Sequence, residues 1–548
     1  MRTDFDAQWD ALAEEVLSGV KEWRLQHRQA TLREIEGALD ERLGKLRARM
    51  LQDAALASAV ADLKAAAAAE RPRCRACETV VVERTVSERQ LLTQHNQVLQ
   101  LVRSYGVCPT CGAGFFPLDD ELELLEGALT PSLQEDLVHL GTWLPFDKAA
   151  QQLRRFRATD VSRPTAERVT EAAGAAYVAF QTAEVARIEQ ELPVPPAGPA
   201  QLFMSVDGAQ VPLVGGEWAE VKTLVLGVVQ PPVVVKGETV VRTTAPSYFS
   251  RLIDSETFQR LALVETQRRG VETAGAVGFV TDGSEWLPKF ADYHRADAVR
   301  VLDFPHAGEH ISAVGRASLG DGSAAAQTWL QAQLHELKHN GPTAVLTEVR
   351  RVVASQPAAD TDSAGHLTYL EKREAQMCYP EFLAAGWPIG DGAVESANKL
   401  VVEARLKGSG MHWARPHVDP MLALRNIVCN DRWDEAWPQI VRTLRQQAQQ
   451  RRTERRHQRR TARLAQPTAA VPSPPAVLPA HPSASANTPA APVTSANTNE
   501  GPARHASSAP AQAQPCQPWR PPANHPWRHM PIGRARFKSS TQLTDAKP

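Results

Sequence analysis

The central third of this chain predicts an α/β fold: a mixed sheet with helices on its faces. Two observations carry that expectation. Strand-like apolar runs occur at 201–207 (QLFMSVD), 220–229 (EVKTLVLGVV), 232–244 (PVVVKGETVVRTT), 276–282 (AVGFVTD) and 298–303 (AVRVLD), and helical periodicity follows the last two. A proline-rich PVPPAGP segment ending at Pro199 separates this region from a different texture before it. At 548 residues the chain exceeds what one core organises, so two or three folded units plus tails are expected.

Residues 5–70 carry Trp9, Leu12, Val16, Leu32, Ile35, Leu39 and Leu43 at helical spacing and end in DLKAAAAAE, so residues 1–70 read as amphipathic helices suited to packing or self-association. Residues 71–120 are loop-rich and hold CRAC and CPTC. Cys74, Cys77, Cys108 and Cys111 are thus two CxxC pairs with 30 residues between them. Each pair can grip one zinc through two thiolates, giving a closed, structural four-thiolate site; two independent cysteine-containing turns are the alternative. Cys378, Cys429 and Cys516 lack such spacing.

Residues 121–195 are helical and include two turn-separated segments, DKAAQQLRRF and RPTAERVTEAAGAAYVAF. Ser162 and Pro164 mark the start of the second. As a helix-turn-helix this pair would offer Arg163, Thr165 and Arg168 to a major groove; as simple packing it would not. The sheet region, 198–435, includes a helical stretch at about 308–385, and GDGAVESANKLVVEARLKGSG at 390–410 reads as a turn running into a helix. Residues 440–548 read as a basic, Pro/Ala-rich disordered tail, since beyond about 465 little apolar surface is available to offset ordering entropy. The NHPWR segment at 524–528 stands out there as a candidate exposed recognition motif.

Composition excludes some classes. With 43% apolar and 22% charged residues the chain is ordinary globular protein, and it has no uninterrupted apolar run of 18 residues to span a bilayer. The start, MRTDFDAQWDALAEEV, is acidic and amphipathic, unlike a secretory signal, so a cytoplasmic location is expected. The net charge of -1 hides an asymmetry: from Arg442 onward there are 16 Lys or Arg against 3 Asp or Glu. Such a block suits either phosphate binding or simple solvation.

Asp207 in SVDGAQVP and Asp282 in GFVTDGSEW each read as the end of an apolar strand followed by Gly, where a carboxylate stands clear of the sheet. Glu395 lies at a helix start. Singly, these are turn formers or dipole partners; together they are the kind of carboxylate set that holds two Mg2+ ions.

SVDGAQVP, FVTDGSEW, VLDFPHAGEHI and GAVESANKLVVEARLKGSGMHW resemble the DDE transposases of the Mutator-like type, most closely the Kra-type bacterial insertion-sequence transposases. The resemblance covers roughly residues 70–435. It implies an RNase H-like catalytic domain with a helical insertion, preceded by helical and zinc-binding DNA-binding regions. It also implies a metal-binding triad of Asp207, Asp282 and Glu395 with two Mg2+ ions, or Mn2+ in their place. An Asp-x-x-His signature falls on Asp303 and His306, near the scissile phosphate or organising the site, with capping of the strand as the plainer role for the histidine. Lys407, His412 and Trp413 are candidates to contact a transposon end, with the core as the other place for Trp413. The implied partners are double-stranded DNA, as terminal inverted repeats and target, and further copies of the chain. Two rivals stand beside this reading: an RNase H-like nuclease that cuts without joining, and a zinc-containing DNA-binding regulator.

Overall fold

The structure, a computed structural model, describes residues 5–235, 237–355 and 361–465. The expectations for the tail beyond 465, including NHPWR and Cys516, lie outside these residues.

Helices α1 (Asp6–Gln26) and α2 (Leu32–Leu56) form an antiparallel pair. Thr31 starts α2 with a capping box: its hydroxyl accepts from the Glu34 N–H while the Glu34 carboxylate accepts from the Thr31 N–H. The Trp9 indole N–H donates to Asp53 at 3.0 Å and ties the pair together.

The cysteine segment is not loop-rich. Between the two CxxC pairs run β1 (Val82–Leu92) and β2 (Val98–Val107), a long antiparallel hairpin, with the short β3 (Gly114–Phe115) on β2. Its register, Val82 opposite Val107 and Leu92 opposite Val98, returns the chain to its starting point. That return closes the 30-residue gap and sets the two cysteine pairs side by side.

The short helix α3 (Pro117–Glu121) leads to α4 (Pro131–Trp143), α5 (Phe146–Arg157) and α6 (Arg163–Glu191). Ser162 caps α6 by accepting from the Thr165 N–H. Ala166, Val169, Ala173, Ala176, Val185 and Ile188 bury one side of α6 along most of its length, making it a scaffold against which the remaining helices pack.

The sheet contains β4 (Gln201–Pro212), β5 (Trp218–Val229), β8 (Thr243–Arg251), β9 (Ala276–Thr281) and β10 (Val299–Leu302), in the order β10-β9-β4-β5-β8. Strands β4, β5 and β8 are an antiparallel meander; β9 and β10 run parallel to β4. The run at 232–244, expected as the third strand, makes a separate hairpin of β6 (Val233–Val235) and β7 (Glu238–Val240), with Val233, Val234 and Val235 exposed, and gives only Thr243 and Thr244 to the sheet. The edge strand is the less apolar TTAPSYFSR, where Pro246 is tolerated because an edge needs no donor on its outer side.

Both faces of the sheet are covered. On β4, Leu202, Met204 and Val206 point into one core with Phe258 of α7 (Ser255–Leu261) and Phe290 of α9 (Leu287–Arg295), while α8 (Leu263–Arg268) follows α7 in the chain. Phe203, Ala209 and Val211 point into the other. Period-two alternation puts Asp207 on this second face. Burying a side chain such as Phe203, 1% exposed, stabilises the fold by about 2–3 kcal/mol.

After β10 come α10 (Phe304–Leu319), α11 (Ala324–Asn340), α12 (Pro342–Ala354), α13 (Thr361–Glu371) and α14 (Tyr379–Ala384), matching the helical stretch expected at 308–385. Then α15 (Gly392–Ala397) continues through a π-helical turn, Asn398–Glu403, into α16 (Ala404–Leu406). Helix α17 (Arg415–Cys429) is buried from Pro420 to Val428. The last element, α18 (Trp433–Ala465), corrects the expectation that the tail is disordered from 440: helix extends to 465. None of the helices among the described residues is long and apolar enough to cross a membrane.

Candidate active site and metal centre

Parallel strands align their carboxyl ends, and three acidic residues use that alignment. Asp282 follows β9 directly and Asp303 follows β10 directly. Asp207 is placed differently from expectation, in mid-strand, because β4 continues to Pro212. Its pairing with β9 nevertheless ends at Ser205–Val280, so Asp207 emerges where the neighbouring strand has left. Burial raises the Asp207 carboxyl above its ordinary range and the charge of Asp282 adds to this; the Gly208 N–H, His306 and Asn398 pull it back.

Asp303 is fully buried and fully used. One oxygen accepts from the His306 N–H at 2.9 Å, capping α10, and faces His306 Nδ1 at 3.3 Å; the other accepts the Asp391 N–H at 2.9 Å. It therefore joins the end of β10 to the start of α15. The hydrogen bond to Asp303 raises His306 to about 9 against the opposing effect of burial, with help from the charges of Asp303, Glu309 and Asp282. His306 sits just past the end of β10 and faces acidic residues.

Sequence reasoning missed Asp391. Before helix α15 it reads as an N-cap, yet its side chain makes no cap bond. It is 4% exposed, and burial raises its carboxyl to about 8, helped by the negative charges of Asp303 and Asp207 and by a hydrogen bond with Asp303. Asp303, His306 and Asp391 bring their ligand atoms within 4.8 Å of one another, an arrangement open to a metal ion.

Glu395 lies four residues beyond Asp391 on α15 and is exposed. Asn398, three residues further along the same face, donates to Asp207 at 2.9 Å, and its own Oδ1 is buried without a partner. Asp391 and Asn398 thus bracket Glu395 and hold its helix against Asp207.

The helical stretch contributes directly. Tyr369 donates its hydroxyl to the carbonyl of Asp282, and Arg373 donates Nε to the carbonyl of Gly283 at 3.0 Å. The Tyr369 ring is sandwiched between His310, 3.7 Å away and parallel within 1°, and the Arg373 guanidinium at 3.7 Å. Gly283 has φ +78, a conformation in which a side chain would be strained and would also meet Arg373. No sequence pattern announces this clamp, because its residues lie some 90 positions from the loop they hold.

The other residues considered for DNA contact are scattered. Arg163 and Arg168 are exposed on the first turns of α6, Arg163 beside Glu167 at 4.0 Å, and the Thr165 hydroxyl is engaged with Ser162. Lys407 pairs with Glu403 at 2.7 Å and His412 is exposed. Trp413 is corrected to a core residue: it is 7% exposed, its indole donates to the Leu406 carbonyl, and its backbone extends β4 by bonding to Pro212 and Val214. A buried ring with its donor spent has no face for a base.

The four cysteines come together. Sγ of Cys74 and Cys111 are 3.5 Å apart and those of Cys77 and Cys108 are 3.3 Å apart, all four lying within 4.8 Å of one another. A tetrahedral ion with bonds of about 2.3 Å spaces its sulfurs by about 3.8 Å; the set fits a metal of the zinc type. The two knuckles are built alike. Cys74 N–H donates to Thr79 O and Cys108 N–H to Ala113 O, while Glu78 and Gly112 donate back to the two cysteine carbonyls. Glu78 and Gly112 both take positive φ, 55 and 67.

Neither protein-family models nor curated proteins match this chain.

Proposed function

We propose that this chain is a DDE transposase of the Mutator-like type that cuts and joins DNA at insertion-sequence ends. The observation that carries the reading is that Asp207 on β4 and Asp282 at the end of the parallel β9 lie close enough for the charge of Asp282 to raise the Asp207 carboxyl, with the helix bearing Glu395 packed on β4. The strand order β10-β9-β4-β5-β8, a meander followed by two parallel strands, supports an RNase H-like scaffold. The motifs in which these residues lie resemble that family.

In this reading Asp207, Asp282 and Glu395 hold Mg2+, which supplies activation of the attacking oxygen and neutralises charge on the leaving one. The chain's own residues prepare the place. Tyr369 and Arg373 fix the Asp282 loop, Asp303 fixes the start of α15, and Asn398 orients Asp207. His306, protonated near neutral pH, presents a positive charge toward the acidic cluster, suited to a phosphate. The four-cysteine module holds structural zinc.

Cleavage and strand transfer on DNA carrying the candidate terminal repeats, with Mg2+, test the proposal. Asp207→Ala, Asp282→Ala and Glu395→Ala should each lose activity by about 10^3-fold or more, equivalent to about 4 kcal/mol of barrier. Full activity in any one of them removes that residue from the triad. Cutting without joining points to a nuclease, and binding without cutting to a regulator.

A further inference from the structure

Behind the clamp on the Asp282 loop, two histidines meet across helices. His310 of α10 and His366 of α13 set their Nδ1 atoms 2.9 Å apart, with their ring planes 73° to each other, and both rings are half-buried. The His310 ring is held flat on Tyr369, and His366 stands one helical turn beyond Asp362, whose carboxylate oxygen faces its Nε2 at 4.0 Å.

At this distance the two Nδ1 atoms share one proton, because two bare lone pairs would repel and two N–H groups would collide. The same pair of nitrogens can hold an ion in its place. With metal–nitrogen bonds of about 2.0–2.1 Å, nitrogens 2.9 Å apart subtend about 90° at the ion, the angle between neighbouring positions of a tetragonal or octahedral shell. Burial, with the charges of His366, His306 and Arg373, lowers His310 to about 4, so at neutral pH it is uncharged, the state in which an imidazole ligates. The Asp362 carboxylate favours the His366 proton on Nε2 and leaves Nδ1 as the acceptor, a pairing that ligating histidines commonly use. The groove over the pair is lined by Glu309, Asp321 and Asp362 against one base, Arg316, so it presents oxygen donors and a negative field to a cation. Imidazole nitrogens select the later transition metals, whereas Mg2+ prefers oxygen throughout.

We infer that His310 and His366 hold a divalent transition-metal ion of the Ni2+, Cu2+ or Zn2+ kind between α10 and α13, at a site separate from the acidic cluster and from the four cysteines. The ion takes the place of the shared proton, which His310 then carries on Nε2; both rings stay neutral, and the groove's carboxylates and water complete the shell. Since His310 is stacked on Tyr369, whose hydroxyl donates to the Asp282 carbonyl, the ion also fastens α13 to α10 beside that loop.

The test adds Ni2+ to the full chain loaded with one equivalent of zinc, in excess Mg2+, and measures uptake by equilibrium dialysis and metal analysis. The wild type should bind one further equivalent and melt at a higher temperature with it. H366Q and H310F should lose this equivalent, with affinity falling by more than the roughly 100-fold that loss of an outer partner can reach, and D362N should weaken it by about tenfold. The phenylalanine keeps a ring against Tyr369, and zinc content with far-UV circular dichroism checks that each variant is folded. His335 and His339, exposed and one turn apart on α11, are the other histidine pair able to take Ni2+, so H335Q/H339Q should leave the equivalent in place. Uptake unchanged in H366Q overturns the inference. So does uptake lost in H335Q/H339Q, which places the ion on α11, and uptake abolished by raising Mg2+, which assigns it to the acidic cluster. A wild type that takes up no further Ni2+ overturns it as well. The triad is tested apart from all of these, by cleavage.

Discussion

Asp391 and His306 face each other's partners around Asp303, and their protonation should be visible in stability. His306 is raised to about 9, so the stability it contributes is complete below its unfolded value of about 6.5 and is lost as pH rises through 9. Asp391 is raised to about 8 and acts in the same direction: folding favours its neutral form, and that stabilisation is lost as pH rises through 8. In Mg2+-free buffer the melting temperature should therefore fall from about pH 4, where unfolded Asp391 ionises, to about pH 9, with His306 adding to the fall above about 6.5. Asp391→Asn, which keeps the neutral shape, should flatten the fall; an unchanged profile would show that Asp391 does not titrate there. Mg2+ should bind more tightly as pH rises, since burial raises the Asp207 carboxyl and the ion needs it ionised. The site residues nearest to a recognisable motif, Asp207, Asp282, Asp303, His306 and Glu395, could be picked out from the chain alone. Asp391 and Asn398 could not, because what marks them is burial beside Asp303 and Asp207.

Among the elements, the helices after β10 do more than fill space. By gripping two successive carbonyls, Tyr369 and Arg373 fix the backbone at Asp282 and Gly283, while Ser284 donates its N–H and hydroxyl to the Asp282 carboxylate at 2.9 and 2.7 Å. Removing the hydroxyl in Tyr369→Phe leaves the sandwich with His310 and Arg373 intact while freeing the loop, so cleavage should fall by about tenfold or more, with DNA affinity unchanged. A shifted apparent Mg2+ requirement would locate the effect at the metal; loss of DNA affinity instead would reassign Tyr369 to the DNA surface. The π-helical turn after α15 has its own support. Arg425, 1% exposed, donates to the carbonyls of Val401 and Leu400, groups that the widened turn would otherwise leave poorly satisfied. Arg425→Leu should cost about 3 kcal/mol, read as a shift in denaturant midpoint. A cost below about 0.5 kcal/mol would mean that the turn holds without it.

For the whole molecule, the four-cysteine cluster joins distant parts of the chain. The knuckles precede β1 and follow β2, side by side at the open end of the hairpin, and α18 reaches them from more than 300 positions away. Chelation should therefore release one zinc per chain, lower the stability of the module, and raise protease sensitivity in α18, measured by limited digestion with and without a chelator. The sheet domain draws its stability from its two apolar cores and should keep its own transition. Cys108→Ser should reproduce the effect of chelation, and a variant that still holds a full equivalent of zinc would contradict the four-thiolate site.

What the chain declares by itself is whatever is encoded at short range. Paired CxxC spacing, strand runs ending at acidic residues, helical periodicity over 308–385 and the Ser162 start of α6 are all local patterns, and each locates its element without knowledge of its neighbours. Local pattern failed where tertiary context sets the outcome. The apolar run PVVVKGETVV became an exposed hairpin because the sheet edge was taken by TTAPSYFSR, whose Tyr248 and Phe249 are buried. Asp207 lies within a strand because β5 pairs with β4 as far as Pro212, beyond the point where β9 leaves it. The basic stretch after 440 has the composition of a solvated tail, yet anchoring arginines and buried Trp437, Ile440 and Ala448 give it surface to pack. Hydrophobic burial and paired charges act between residues that meet only after folding, so the tertiary structure alone decided which carboxylates share the site and which helix holds them there.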